Sequence, residues 1–174
     1  EKNMVKNACT FISSPLHKFS FGFDTSSYKC IALKLQLAQY ISDSYKDGVR
    51  IFYCVCEQGV DLWAAEIVIH IMRDDPTVKL YCIIPYEEQA AKWDANTREL
   101  YYTVLEQATD VFFLNRHYKK NCVFEAYSVA LECSEKVFVS LVEKTEEEIR
   151  KWNIMKGKEI FCCMERLLIG ADRI

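Results

Sequence analysis

Long apolar runs are missing from this chain. No stretch approaches the ~18 consecutive apolar residues that mark a membrane-spanning helix, so no span is expected. The amino end lacks a charged segment followed by a short apolar one, so no secretory signal is expected. A basic surplus is missing too: 22 Lys and Arg stand against 25 Asp and Glu, for a net charge of −3. Proteins that grip nucleic acid by its phosphates carry a basic surplus or stripe. The groups Arg116-His117-Tyr118-Lys119-Lys120 and Lys156-Gly157-Lys158 are too short to act as one, so no direct nucleic-acid footprint is expected. Glycine and proline are scarce, at 5 and 3 residues. Neither G-x-G-x-x-G nor G-x-x-x-x-G-K-[ST] occurs, so the two commonest phosphate-cradling loops are absent. There is no G-x-S-x-G elbow for a serine nucleophile. No second cysteine pair stands at zinc spacing, and no metal site is expected.

Cysteine, by contrast, is abundant. Nine residues are scattered mostly through apolar runs such as Ile51–Cys56, Leu80–Pro85 and Ile160–Met164. Free cysteine behaves as a small buried hydrophobe. An odd count without a secretory signal points to a reducing, cytoplasmic setting with no disulfide. Cys54, Cys82 and Cys162 are expected to be buried. Cys54 and Cys56, two apart on an expected strand, should share one face. With 51% hydrophobic and 27% charged residues, the chain is expected to form one folded domain across residues 1–174.

Short apolar runs alternate with longer periodic stretches. Strands are expected at 8–12, 50–56, 78–84, 110–114, 136–142 and 159–163. Helices are expected at about 26–47, 61–72, 87–108, 123–132 and 145–156, with Gly48 ending the first and Asp74-Asp75-Pro76 the second. The tail 164–174 is weakly defined. Apolar strands without alternation, separated by helices, are the mark of a parallel sheet covered on both faces. The expected class is α/β, doubly wound, with a mainly parallel Rossmann-like sheet in three layers.

Such folds bind ligands beyond the carboxyl ends of their strands, near a topological switch point. The loops there carry Ser13, Ser14 and Pro15 after the first strand and Glu57, Gln58, Gly59, Val60 and Asp61 after the second. Pro85, Tyr86 and Glu87 follow the third, residues 115–121 the fourth, and Glu143, Lys144 and Thr145 the fifth. Gly59, between a buried strand and a helix, has two readings. It is a tight turn with Asp61 as the helix N-cap, or a turn that brings backbone N–H groups to an anion. Asp61 is accordingly a cap or a ribose contact. Tyr86 is placed to stack on a base. Trp63 and Trp93 read as core. Glu66 faces solvent or pairs with a base. Cys56 comes nearest to a reactive thiol, before a helix N-terminus. His17 and His117 belong to the ligand edge but have no nucleophile beside them.

The words around Gly59 carry more. Gln58-Gly59-Val60-Asp61-Leu62-Trp63-Ala64-Ala65-Glu66 resembles the G-V-D-x-W-A-A-E signature of the YpsA-like branch of the SLOG superfamily. These are Rossmann-like domains related to DprA and to the LOG phosphoribohydrolases. Ile84-Pro85-Tyr86-Glu87-x-Gln89-x-x-x-Trp93 resembles the same branch's I-P-Y-E-x-Q-x-x-x-W, and Phe21-Gly22-Phe23-Asp24 its W-G-F-D. The resemblance runs from about Ala8 to Cys163. It implies the fold above and a nucleotide or nucleotide-derived ligand. The ligand words depart from the family pattern. T-G-H-R-P is replaced by Ile12-Ser13-Ser14-Pro15-Leu16, and S-G-x-A-x-G-V-D by Cys54-Val55-Cys56-Glu57-Gln58-Gly59-Val60-Asp61. A K-R-N-R segment is replaced near Glu125-Ala126-Tyr127-Ser128, and a Gly-Gly-Thr loop by Lys144-Thr145-Glu146-Glu147-Glu148.

The expected function is therefore a sensor or scaffold domain for a nucleotide, nucleoside or NAD-derived ligand, without catalysis. Its expected binding set is Ser13, Ser14, Glu57, Gln58, Gly59, Asp61, Pro85 and Tyr86. Two alternatives stand beside it. One is a LOG-like or deoxyribosyltransferase-like N-glycosidase, with Glu57 or Asp61 as the carboxylate. The other is a homo-oligomer or protein-interaction module using Phe19, Phe21, Phe23 and Tyr118 as exposed loop aromatics.

Overall fold

A computed structural model describes residues 7–142, 150–151 and 153–163. Six strands lie in one sheet: β1 (Ala8–Ser13), β2 (Ile51–Cys54), β3 (Lys79–Ile84), β4 (Asp110–Phe113), β5 (Lys136–Ser140) and β6 (Glu159–Cys162). Every pairing is parallel, in the order β4-β3-β2-β1-β5-β6. Among the described residues, four α-helices make the connections from β1 to β5: α1 (Tyr28–Lys46), α2 (Val60–Asp74), α3 (Ala95–Gln107) and α4 (Cys122–Glu132). None of the described helices is long and apolar enough to cross a membrane.

The strand order explains the layers. From β1 the chain steps in one direction through β2 and β3 to β4, then returns to the other side of β1 as β5. Right-handed crossovers put the helices of the first run on one face and the helix of the return on the other. One core accordingly joins Cys9, Phe11, Phe52 and Leu80 to residues of α1, α2 and α3. The other joins Ile12, Val55, Val137 and Val139 to Ala126, Tyr127, Ala130 and Leu131 of α4. All six residues of β1 are buried, because both layers close on it. Phe11 lies between Phe52 and Phe138, with ring centroids 6.4 and 6.5 Å away. α1 buries Cys30, Leu33, Leu37 and Ile41, a stripe at three- and four-residue spacing. β2 and β3 are interior, and β4 is an edge strand with Phe112 and Phe113 exposed.

Several expectations need correction. The helix expected over 87–108 begins only at Ala95. The Asp94 side chain caps it by accepting from the Thr97 N–H at 3.1 Å, and residues before it form turns. Those turns carry Gln89 back against the end of β2, which a straight helix could not do. β2 ends at Cys54, so Cys56 lies beyond the strand, with φ of 62°. The two cysteines do not share a strand face. β5 ends at Ser140. Phe19 and Phe21 are buried as a stacked pair 5.3 Å apart, leaving Phe23 and Tyr118 exposed. Glu66 faces solvent. Cys54 and Cys82 are buried and Cys162 half-buried, and all nine cysteines are free. Of the helix expected over 145–156, residues 150–151 and 153–154 are helical. Its first turn, the Glu143-Lys144-Thr145 loop, the Glu146-Glu147-Glu148 run and the tail 164–174 lie outside the described residues.

Candidate functional site

The switch point of this topology falls between β1 and β5, where the two runs of strands part company. A cavity of about 170 Å³ opens at that place, lined by Ser13, Ser14, Pro15, Glu57, Val123, Tyr127 and Lys151. β1 delivers the two serines at its carboxyl end. The Ser14 hydroxyl accepts from the Val142 N–H at 2.9 Å, and the Ser14 N–H donates to the Ser140 carbonyl at 2.8 Å. These bonds seat the loop against the end of β5.

Beneath the cavity runs a buried polar chain. Asp61, in the first turn of α2, is fully buried. Its Oδ1 accepts from the Ser13 hydroxyl at 3.1 Å, and its Oδ2 from the Tyr127 hydroxyl at 2.5 Å. Tyr127 comes from α4, so this bond joins the two helical layers over the sheet edge. Lys151 is only 2% exposed. Its Nζ donates to the Ser13 carbonyl at 3.2 Å and lies 5.1 Å from the centre of the Tyr127 ring. Burial pushes the Asp61 carboxyl up to about 7; the neighbouring Glu57 adds to this, while Tyr127, Lys151 and Ser13 oppose it. Burial, then the adjacent Asp61, raises the Tyr127 phenol well above its ordinary value.

Of the two readings of Asp61, the helix cap is not formed. Gly59 occupies the N-cap position, with φ of 105°, and no side chain caps the helix. The turn is also filled. A Cβ on Gly59 would meet Leu16 Cδ1 at 3.1 Å and Leu16 Cβ at 3.3 Å. The Leu62 and Trp63 N–H groups donate to the carbonyls of Glu57 and Gly59. Glu57 is held by the Gln89 amide, whose Nε2 donates to its carboxylate at 2.6 Å and to the Val55 carbonyl at 3.2 Å.

The expected binding set therefore divides. Ser13, Ser14 and Glu57 line the cavity, and Asp61 supports it from below. Gln58 is half-buried beside Glu57, and Gly59 shapes the turn. Pro85 is buried, its carbonyl accepting from Asn115 Nδ2 at 3.0 Å. Tyr86 packs edge-on against Tyr118 at 5.4 Å, on the far side of Glu57 in the strand order. Tyr127 and Lys151 were missed as site residues. A tyrosine in an apolar helix reads as core, and nothing local marks a lysine for burial. The side-chain polar atoms left without a partner in the described interior are Gln89 Oε1, Tyr101 OH and Ser140 Oγ. Ser140 ends β5, directly across from Ser13. Among the described residues no cluster suits a metal ion.

Fold and site together define a doubly wound parallel α/β domain with a small polar cavity at its switch point. The family model YpsA, described as the YspA SLOG family, matches residues 17–159, and the chain belongs to that family. Among curated proteins it is similar to a UPF0398 protein of Halalkalibacterium halodurans, 34% identical over 76 residues, 44% of this chain and 40% of that protein. It is equally similar to UPF0398 proteins of Bacillus thuringiensis strain Al Hakam and Bacillus cereus strain AH187. Each is 34% identical over 93 residues, 52% of this chain and 48% of the relative. The chain thus spans less than half the length of the curated relatives it matches.

Proposed function

We propose that this is a non-catalytic binding domain for a small nucleoside-type ligand held at the switch-point cavity. The observation that carries the reading is the convergence of Ser13, Ser14, Glu57, Tyr127 and Lys151 on one cavity between β1 and α4. Hydroxyls, a carboxylate and an ammonium are the partners that sugar hydroxyls and base edges use. At about 170 Å³ the cavity is smaller than the roughly 300–1,000 Å³ usual for whole drug-sized ligands. A nucleoside fragment fits that scale better than a dinucleotide. The Glu57 carboxylate also disfavours a polyphosphate.

An N-glycosidase would need a carboxylate at the anomeric carbon. Asp61 is sealed below the cavity, and Glu57 is engaged by Gln89, so the binding reading is the better supported one. The many free cysteines suit a cytoplasmic setting. The test is a thermal-shift and calorimetric comparison of nucleosides, mononucleotides and dinucleotides. Nucleosides should raise the melting temperature with little dependence on salt, and Tyr127→Phe should weaken that effect. Tight dinucleotide or triphosphate binding with a steep salt dependence would refute the reading. So would the absence of any shift at millimolar nucleoside.

A further inference from the structure

Cys56 is the residue whose position the binding site does not account for. It lies just beyond β2 in a left-handed backbone conformation, φ 62°, which side-chain-bearing residues rarely adopt. That turn carries its sulfur back towards the neighbouring strand, where Cys56 Sγ lies 3.5 Å from Cys82 Sγ. Cys56 Sγ also lies 3.9 Å from the Cys54 carbonyl, and other buried thiols have partners of their own. Cys54 donates to the Asp61 carbonyl at 3.0 Å, Cys9 contacts the Thr10 carbonyl and Tyr40 hydroxyl, and Cys163 contacts Gln36.

The surroundings are not wholly apolar. Tyr101 belongs to the same core as Cys56 and Cys82. Its hydroxyl is buried without a partner, as is Oε1 of Gln89, whose amide holds the carbonyl of Val55 next to Cys56.

We propose that Cys56 and Cys82 form an oxidation site, closing to an intramolecular disulfide when the protein meets a hydroperoxide. Both thiols are fully buried in the closed fold, so reaction needs local opening of the loop after β2, and Cys56, on that loop, attacks first. Its sulfur bonds to the distal peroxide oxygen, the O–O bond breaks, and water or an alcohol leaves with a sulfenic acid on Cys56. The Cys82 sulfur then attacks the Cys56 sulfur. The S–S bond forms, the S–O bond breaks, and a water leaves carrying the second thiol proton. Two electrons pass from the two thiols to the peroxide. The contacts with Cys54 and Cys82, together with burial, hold the Cys56 thiol above its ordinary pKa. The pair therefore stays reduced until oxidant is in excess.

The test uses the full folded chain, reduced, freed of reductant and titrated with hydrogen peroxide. Alkylation in denaturant then counts the thiols. All nine should be alkylated before oxidation. After mild oxidation two should be lost together, with the mass falling by two hydrogens. The tryptic peptide 51–73 should be joined to 80–92, and fragmentation between Cys54 and Cys56 should place the bond on Cys56. Cys56→Ser and Cys82→Ser should each abolish that cross-link. A first cross-link through Cys54, or between any other pair, would overturn the assignment. So would sulfinic or sulfonic acid without a cross-link, or nine intact thiols when methionine is already oxidised.

Discussion

Asp61→Asn is expected to remove the loss of stability that Asp61 causes as the pH rises towards neutrality. In the unfolded chain the Asp61 carboxyl titrates near 3.8, whereas burial holds it at about 7 in the fold. Between those values the folded protein binds a proton that the unfolded chain has released, so stability falls as pH rises. The contribution is fully present below about pH 4 and is lost by about pH 7. At 1.36 kcal/mol per pH unit, the span amounts to on the order of 4 kcal/mol. For a domain of this size that is roughly 10 °C in melting temperature. Asparagine imitates the protonated acid: its carbonyl accepts from one hydroxyl, and its amide donates to the oxygen of the other. The variant should match the parent near pH 4 and exceed it at pH 7.5. Urea titrations of both proteins across pH 4–8 give the difference directly, and titrating groups remote from Asp61 cancel in it, Glu57 and Lys151 being the ones that interact with it. A parent protein that gains stability relative to Asp61→Asn between pH 4 and 7 would refute the assignment of a buried, destabilised carboxylate.

Two further substitutions probe the frame of the site. Gly59→Ala places a Cβ at φ of 105° and within 3.3 Å of Leu16. It should cost about 1–3 kcal/mol in denaturant unfolding, with a far-ultraviolet spectrum unchanged. Asp94→Ala removes the bond to the Thr97 N–H and should cost about 1 kcal/mol, read in the same experiment, with no effect on nucleoside binding.

The fold was legible because its signal is carried by several elements at once. The runs around Phe52 and Leu80 are short, apolar without alternation and separated by helical patterns, as interior strands of a parallel sheet are. The boundaries were less legible. The break before Ala95 rests on one short cap, Asp94 to Thr97, lying within a segment whose apolar spacing also suits a continuous helix. Ser13, Ser14 and Glu57 of the candidate cavity were readable because they stand in the strand-to-helix loops at the carboxyl edge of a parallel sheet. The sequence leaves Asp61 as a cap or a ligand contact; the structure removes the cap alternative, and the burial of its carboxylate depends on α4, which no local pattern shows. Tyr127 and Lys151 could not be found from local pattern. They reach the cavity from 66 and 138 residues away, measured from Asp61 and Ser13 respectively, and only the strand order brings them there.

The bond from Tyr127 to Asp61 has a consequence for how the domain opens. It fastens the first turn of α2 to the middle of α4 at the rim where the sheet itself offers no further ladder. Neither layer can swing away from that rim without exposing a carboxylate and a phenol together. The opening motions of the two layers are thereby linked. Amide protons in the first turn of α2 and around Tyr127 should exchange in one shared event rather than two, although α2 and α4 lie on opposite faces of the sheet.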